Sequence, residues 1–146
     1  AISESGCNIR NLIIDIPEEG LTSGVQNIRP VLDKFANMGI TMALDNFGRG
    51  YSSLNNIPLL PINLVKLDGH FTEGLSEGNA PRLLTQAIIE LLNDIDIPVA
   101  ATGVGSMDQF NTLVEFGCTY FQGKQLCVPL NSRDTLEYAC RFYLDK

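Results

Sequence analysis

The sequence predicts a parallel α/β protein, and three observations carry that reading. Short apolar, β-branched runs alternate with longer amphipathic segments, the pattern of repeated βα units, and five such units can be counted. Each run is short and apolar enough for a strand buried on both faces. Polar residues gather at or near the C-terminal ends of these runs, at Asp15, Asp45, Asp68, Thr102 and Gln122.

The first unit has its strand at residues 12–16 and its helix at 24–38. The second strand, 41–45, runs into a loop at 46–53 loosened by Gly48 and Gly50, with a helix expected at 52–57. A third strand at 64–68 precedes a helix at 80–93. The fourth, 99–104, leads to a helix at 106–116, where Ser106 and Gln109 have capping-box spacing and Gly117 stands at the stop. After the fifth strand, 119–122, Pro129 and then Asn131, Ser132 and Asp134 open a last helix at 132–144. Two architectures fit: part of a (β/α)8 barrel, or a complete five-stranded doubly wound sheet. The polar strand ends favour the barrel, because a doubly wound sheet concentrates such groups at one switch point.

At 146 residues, 45% hydrophobic and 18% charged, the chain suits one globular unit. Seventeen acidic against ten basic residues, with no Lys/Arg cluster, disfavour DNA, RNA or a membrane surface as partner. Four cysteines without CxxC spacing and a single histidine argue against zinc and read as reduced, mostly buried thiols in a cytoplasmic protein. The apolar stretches, such as residues 57–62, are too short to span a bilayer. A start at Ala1 without Met suggests a piece of a longer polypeptide, whose other parts could include a membrane anchor.

Carboxylates at the ends of apolar strands need a cation or hydrogen-bond donors to offset desolvation, so Asp15 and Asp45 converging on one mouth could bind Mg²⁺. Spacing alone favours helix capping or solvent exposure for them. Lys66 and Asp68 lie two apart and face the same way; on a barrel interior Lys66 could supply a fixed positive charge beside the carboxylates that orients a phosphate oxygen or water, or the two could form a buried structural ion pair. In the loop Asn46-Phe47-Gly48-Arg49-Gly50, strand-end amides could receive an anion, although a flexible turn capped by Ser52 or Ser53 is the simpler reading. His70 has no Cys or Ser partner at motif spacing and reads as a surface or packing residue.

Together these segments resemble the EAL family from before its fourth barrel strand to its end, over essentially the whole of residues 1–146. Residues 12–18 stand for L-x-L-E-x-T-E, residues 43–54 for A-L-D-D-F-G-T-G-Y-S-S-L, and residues 65–68 for I-K-I-D. Residues 101–105 replace A-E-G-V-E, and residues 117–123 match G-C-x-x-x-Q-G, followed by Pro129. The resemblance implies a TIM-like barrel of which the C-terminal five βα units are present, and a family chemistry in which two Mg²⁺ or Mn²⁺ ions activate water to cleave cyclic di-GMP. It gives Asp45 a metal-binding role, Lys66 a place near the attacking water, Gln122 the late glutamine of the site, and Glu18 the task of holding the glycine-containing loop. Asp68, Gln122, Gly123 and Pro129 join Asp45 as expected ligand-contacting positions.

The departures fall at the chemistry. Asp15 replaces a ligating Glu, Asn46 replaces the second Asp of the D-D pair, and Arg49 puts a cation into the loop. Thr102 and Gly105 stand where the family has glutamates, and a hydroxyl cannot take a water proton at neutral pH. The E-A-L and N-x-S segments have no counterpart in this chain, and five strands of eight would leave open edges, so the isolated piece is expected to aggregate or to need a remainder. The favoured expectation is a degenerate, non-catalytic module that binds cyclic di-GMP or a protein partner and signals to attached GGDEF or sensor domains. The alternatives are a weak phosphodiesterase using Asp15, Asp45, Asp68 and Gln122 with Mg²⁺ or Mn²⁺, and an interaction module without nucleotide affinity. Homodimerisation is a further expectation from the family.

Overall fold

The computed structural model describes residues 8–50 and 54–144. Five strands, β1 (Ile13–Pro17), β2 (Thr41–Phe47), β3 (Leu64–Leu67), β4 (Val99–Ala101) and β5 (Tyr120–Phe121), form one sheet. All four pairings are parallel, and the spatial order is the chain order. A doubly wound sheet reverses its order at a switch point, and this one never does. The winding is that of a barrel.

The helices are α1 (Val25–Asn37), α2 (Gly69–Gly74), α3 (Asn79–Asp94), α4 (Met107–Glu115) and α5 (Ser132–Leu144). Strand side chains alternate between faces, so the sheet sorts its residues with period two. Ile16, Met42, Leu44, Val65, Leu67, Val99 and Ala101 belong to the main core, which they share with Leu32 of α1, Ile89 and Leu92 of α3 and Leu113 of α4. On the other face lie Ala43, Leu64 and Ala100 as a small separate cluster, with Asp15 and Lys66 beyond them. The second face is the concave one, and it carries the polar groups.

Punctuation residues act as expected at α4. Ser106 Oγ accepts from the Gln109 amide at 3.2 Å, and Gln109 Oε1 accepts in return from the Gly105 amide at 2.9 Å. Gly117, at φ 92°, follows the helix end in the left-handed region that glycine adopts at no steric cost. At α5, Asn131 Oδ1 caps the Asp134 amide at 3.0 Å.

Several expectations are corrected. Residues 54–59 form a 3-10 turn in place of the expected helix at 52–57, since Pro58 lacks the N–H that a continuing α-helix needs; residues 52 and 53 lie outside the described residues. α2 was not anticipated, its six residues being too few for a periodic signal. β4 stops at Ala101, short of the expected Val104, because the chain turns at Gly103 to φ 75°, where a Cβ would press on the Gly69 Cα. Among the described residues the thiols are not mostly buried. Cys118 is buried, and burial pushes its pKa up to about 12, but Cys127 is half-buried and Cys140 is exposed on α5; Cys7 lies outside the described residues. Among the described residues, no helix is long and apolar enough to cross a membrane.

Gly123 packs so closely on the Val104 backbone that a Cβ there would collide with it. Gly123→Ala should therefore destabilise the fold by about 1–3 kcal/mol, as expected for an overpacked contact that backbone cannot relieve. Urea unfolding measures it. A midpoint unchanged from wild type would mean that the Val104 backbone yields to the added methyl group.

Candidate functional site

β2 contains the irregularity that shapes the site. Its register with β3 is regular to Leu44↔Val65, then resumes at Phe47↔Leu67, so Asp45 and Asn46 together oppose the single residue Lys66. An extra residue of this kind bends a strand and re-aims its side chains. Asn46 takes φ 56°, a conformation that Asn and Asp reach more readily than other residues with a side chain. Its Nδ2 donates to Asp45 Oδ2 at 3.0 Å.

Lys66 connects three strands. Adjacent strands lie about 4.8 Å apart, so a lysine on β3 can reach over β2 as far as β1. Its Nζ lies 2.7 Å from Asp15 Oδ2 and 3.3 Å from Asp45 Oδ1. Burial alone would push the ammonium pKa down, but the hydrogen bond to Asp15 and the charges of Asp15 and Asp45 more than offset this and hold it above the usual lysine value. The ammonium therefore stays charged through the neutral range.

Glu18, 1% exposed, sits behind the glycine-containing loop. Its Oε2 accepts from the Gly48 amide at 3.0 Å and the Gly50 amide at 2.8 Å. Gly48 is at φ 90°, and a Cβ there would strike the Phe71 ring, so the loop needs glycine at that point for two independent reasons. Phe47 is buried in the core below this loop, while Arg49 is exposed.

Thr102, at the position of an expected loss, is fully engaged. Its Oγ1 donates to the Leu67 carbonyl at 2.7 Å, and its own carbonyl accepts from Thr72 Oγ1 at 2.7 Å. The hydroxyl thus ties the top of β4 to the top of β3. Gly105 is exposed and adds no side chain.

Two cavities meet at Gln122. One, about 490 Å³, follows the concave face and is lined by Asp15, Lys66, Leu64, Ala100, Tyr120 and Gln122 among others. The second, about 570 Å³, lies beyond β4 and β5 and is lined by Gly103, Gly105, Gln122, Gly123, Lys124 and Pro129 among others. Cations stand at three strand ends, at Arg49, Lys66 and Lys124, in a chain whose formal charge is −7.

Asp68 is not part of this cluster. It leaves the strand to cap α2, its Oδ1 accepting from the His70 amide at 3.0 Å and lying 2.8 Å from His70 Nδ1. The expected pairing of Lys66 with Asp68 is replaced by Lys66 with Asp15 and Asp45, because the chain turns into α2 directly after Leu67. His70, half exposed, also lies against the Phe71 ring at a centroid distance of 4.0 Å. Burial alone would raise the Asp68 pKa, but its hydrogen bonds to His70 and the charges of His70 and Arg49 hold it below the usual aspartate value. Two residues that sequence reasoning missed support the site from behind: Thr72, 1% exposed, and Gln109, whose Nε2 donates to the Thr72 carbonyl at 3.1 Å. Only the Ser106 spacing hinted at Gln109, and nothing in the sequence marked Thr72.

A divalent metal of the kind the resemblance implies would need oxygen donors at this mouth. The residues present do not fit one. Asp15 and Asp45 are engaged by Lys66, Asn46 offers its amide nitrogen to Asp45, Thr102 is bonded to Leu67, and no cluster of three or more His, Cys, Asp or Glu suited to a metal occurs among the described residues.

Two outcomes follow from this geometry. Glu18→Ala should leave the Gly48 and Gly50 amides without their acceptor and raise their hydrogen-exchange rates at least about tenfold, since bonds to a charged acceptor contribute about 1.5–3 kcal/mol each. Unchanged exchange would mean that another group orders the loop. Asp68→Ala should cost about 1 kcal/mol near neutral pH as a lost cap. Because the folded pKa of Asp68 is depressed, its contribution is complete above the ordinary aspartate value and is lost as pH falls through the lowered one, so variant and wild-type urea midpoints should converge in acid.

Comparison with known proteins agrees with the fold. The EAL domain family profile matches residues 1–129. A cyclic di-GMP phosphodiesterase of Pseudomonas aeruginosa, NbdA, is 28% identical over 130 residues, which is 89% of this chain and 17% of that protein. Among solved structures, the EAL domain of Mycobacterium smegmatis DcpA superposes with TM-score 0.89 at 26% identity, covering 96% of this chain and 63% of that one. The PaMucR phosphodiesterase, solved as a c-di-GMP complex, gives TM-score 0.86 at 25% identity, covering 92% and 54%. The chain spans 17% to 41% of the length of the curated relatives it matches. With a parallel sheet wound in chain order and a family match over most of its length, the chain belongs to the EAL domain family.

Proposed function

We propose that this chain is a signalling module that binds cyclic di-GMP without hydrolysing it, as a partial EAL domain running from about the fourth barrel strand to the last helix. The observation that carries the reading is Thr102, whose hydroxyl is bonded to the Leu67 carbonyl at 2.7 Å where hydrolysis would require a carboxylate to take a proton from water. Gly105 leaves the second such position without a side chain. The mouth has no carboxylate at either of these two positions, but it retains a binding surface. A concave cavity of about 490 Å³ falls in the range of small-molecule sites, and Tyr120 lines it with an exposed aromatic side chain on which a purine can stack. Lys124, lining the second cavity, and the exposed Arg49 after β2 offset phosphate charge, and Gln122, lining both cavities, offers an amide for directional hydrogen bonding. Relatives named as cyclic di-GMP phosphodiesterases, and one solved with that nucleotide, supply the choice of ligand.

Calorimetry of the protein carrying this chain with cyclic di-GMP, paired with chromatography of the nucleotide after incubation with Mg²⁺ or Mn²⁺, tests both halves. Saturable binding with no linear dinucleotide is expected, and Gln122→Ala should weaken binding roughly five- to tenfold, the scale of one lost hydrogen bond. Turnover at a rate proportional to enzyme would make the chain a phosphodiesterase. Absence of any binding would leave protein partners as its ligands.

A further inference from the structure

The ion cluster formed by Asp15, Asp45 and Lys66 has a consequence for how the site handles cations. Lys66 Nζ is within 3.3 Å of carboxylates from two different strands, so its charge is shared by both. Asp45 is engaged on both oxygens, Oδ1 by Lys66 and Oδ2 by Asn46 Nδ2. An amide that turns its nitrogen to a carboxylate necessarily turns its carbonyl elsewhere, so Asn46 adds a donor where a metal would need an acceptor. The Lys66 side chain is only 18% exposed, and Asp45 only 25%, so this pair is partly shielded from competing solvent.

We propose that the Lys66 ammonium is the resident cation of this site, offsetting one of the two negative charges that Asp15 and Asp45 bring there, so that ligand binding here requires no divalent metal. A metal approaching the two carboxylates would have to displace an ammonium already in contact, and Mg²⁺ or Mn²⁺ would then face a like charge held on the neighbouring strand. Removing the ammonium reverses the situation. Two carboxylates converging from β1 and β2 would be left without a counter-charge, and a hydrated divalent ion is the simplest species to supply one.

The test reads Mn²⁺ directly by electron paramagnetic resonance, without reference to activity. Wild-type protein should leave the free-ion signal unchanged at up to roughly millimolar Mn²⁺, whereas Lys66→Met should bind the ion at least about tenfold more tightly, because a contact-distance positive charge has been removed. Asp15→Asn in the Lys66→Met background should abolish the gain. If Lys66→Met does not fold, Lys66→Gln, which keeps a polar end, serves in its place. Tight Mn²⁺ binding by wild type overturns the proposal, as does a folded variant, checked by circular dichroism, that gains none. A second arm rests on the nucleotide-binding reading above: cyclic di-GMP should bind with the same affinity, within about twofold, in EDTA and in Mg²⁺. A nucleotide that binds only with Mg²⁺ overturns metal independence, whereas a nucleotide that binds in neither condition overturns only the binding reading, since the Mn²⁺ arm stands by itself.

Discussion

A parallel strand with helices over one face and an open concave side on the other must assign alternate residues to different environments, and the rest of this molecule depends on that constraint. It leaves Ile13 and Tyr120 exposed where burial on both faces was expected. In β2 and β3 the odd and even positions diverge completely: Met42, Leu44, Val65 and Leu67 enter the helix-covered core, while Ala43, Leu64 and Lys66 face the concave side. A slip by one residue would bury the lysine among helices and expose the leucines. The single exception to the alternation is the extra residue at Asp45 and Asn46, and it lies where the polar groups converge. The deviation from sheet regularity and the chemistry of the mouth are thus one feature.

Charge at the mouth is arranged in small closed groups. Lys66 serves two aspartates, Asp68 and His70 serve each other, and the buried carboxylate of Glu18 is met by backbone amides of the loop. Among the described residues no buried side-chain polar atom is left without a hydrogen-bond partner. In a region of lowered dielectric each such group limits its own desolvation cost, which lets an acidic chain keep several carboxylates close together. The same closure fixes side-chain positions and restricts what an incoming ligand can recruit.

The strands and the long helices were legible because their signals are periodic and local. Residues 12–16, 41–45 and 64–68 lie within a residue or two of β1, β2 and β3, and the Ser106, Gln109 and Gly117 punctuation brackets α4 as its chemistry requires. What could not be read was contact across strands. That Lys66 pairs with Asp15, fifty-one residues away, and not with Asp68, two residues away, depends on the chain turning into α2, an element too short to announce itself. Thr102 carried the opposite difficulty. Its identity showed what the site lacks, but only the fold shows that its hydroxyl bonds the Leu67 carbonyl and so couples two strand tops. The last helix was placed correctly by Asn131 and Asp134, yet its exposure, and with it that of Cys140, is a property of packing that composition does not contain.

The left-handed backbone at Asn46 bears on how such a site can change over time. Besides glycine, aspartate and asparagine are the residues that adopt φ near 56° with little strain, so the turn accepts an acid and its amide on equal terms. Exchange between them alters one charge beside Asp45 and leaves the main chain where it was. Gly48, two residues on, has no such freedom, since Phe71 occupies the space of any side chain. The scaffold therefore holds its shape through drift at the position that sets its electrostatics, and a lineage could lose or regain an anionic site here without passing through an unfolded intermediate.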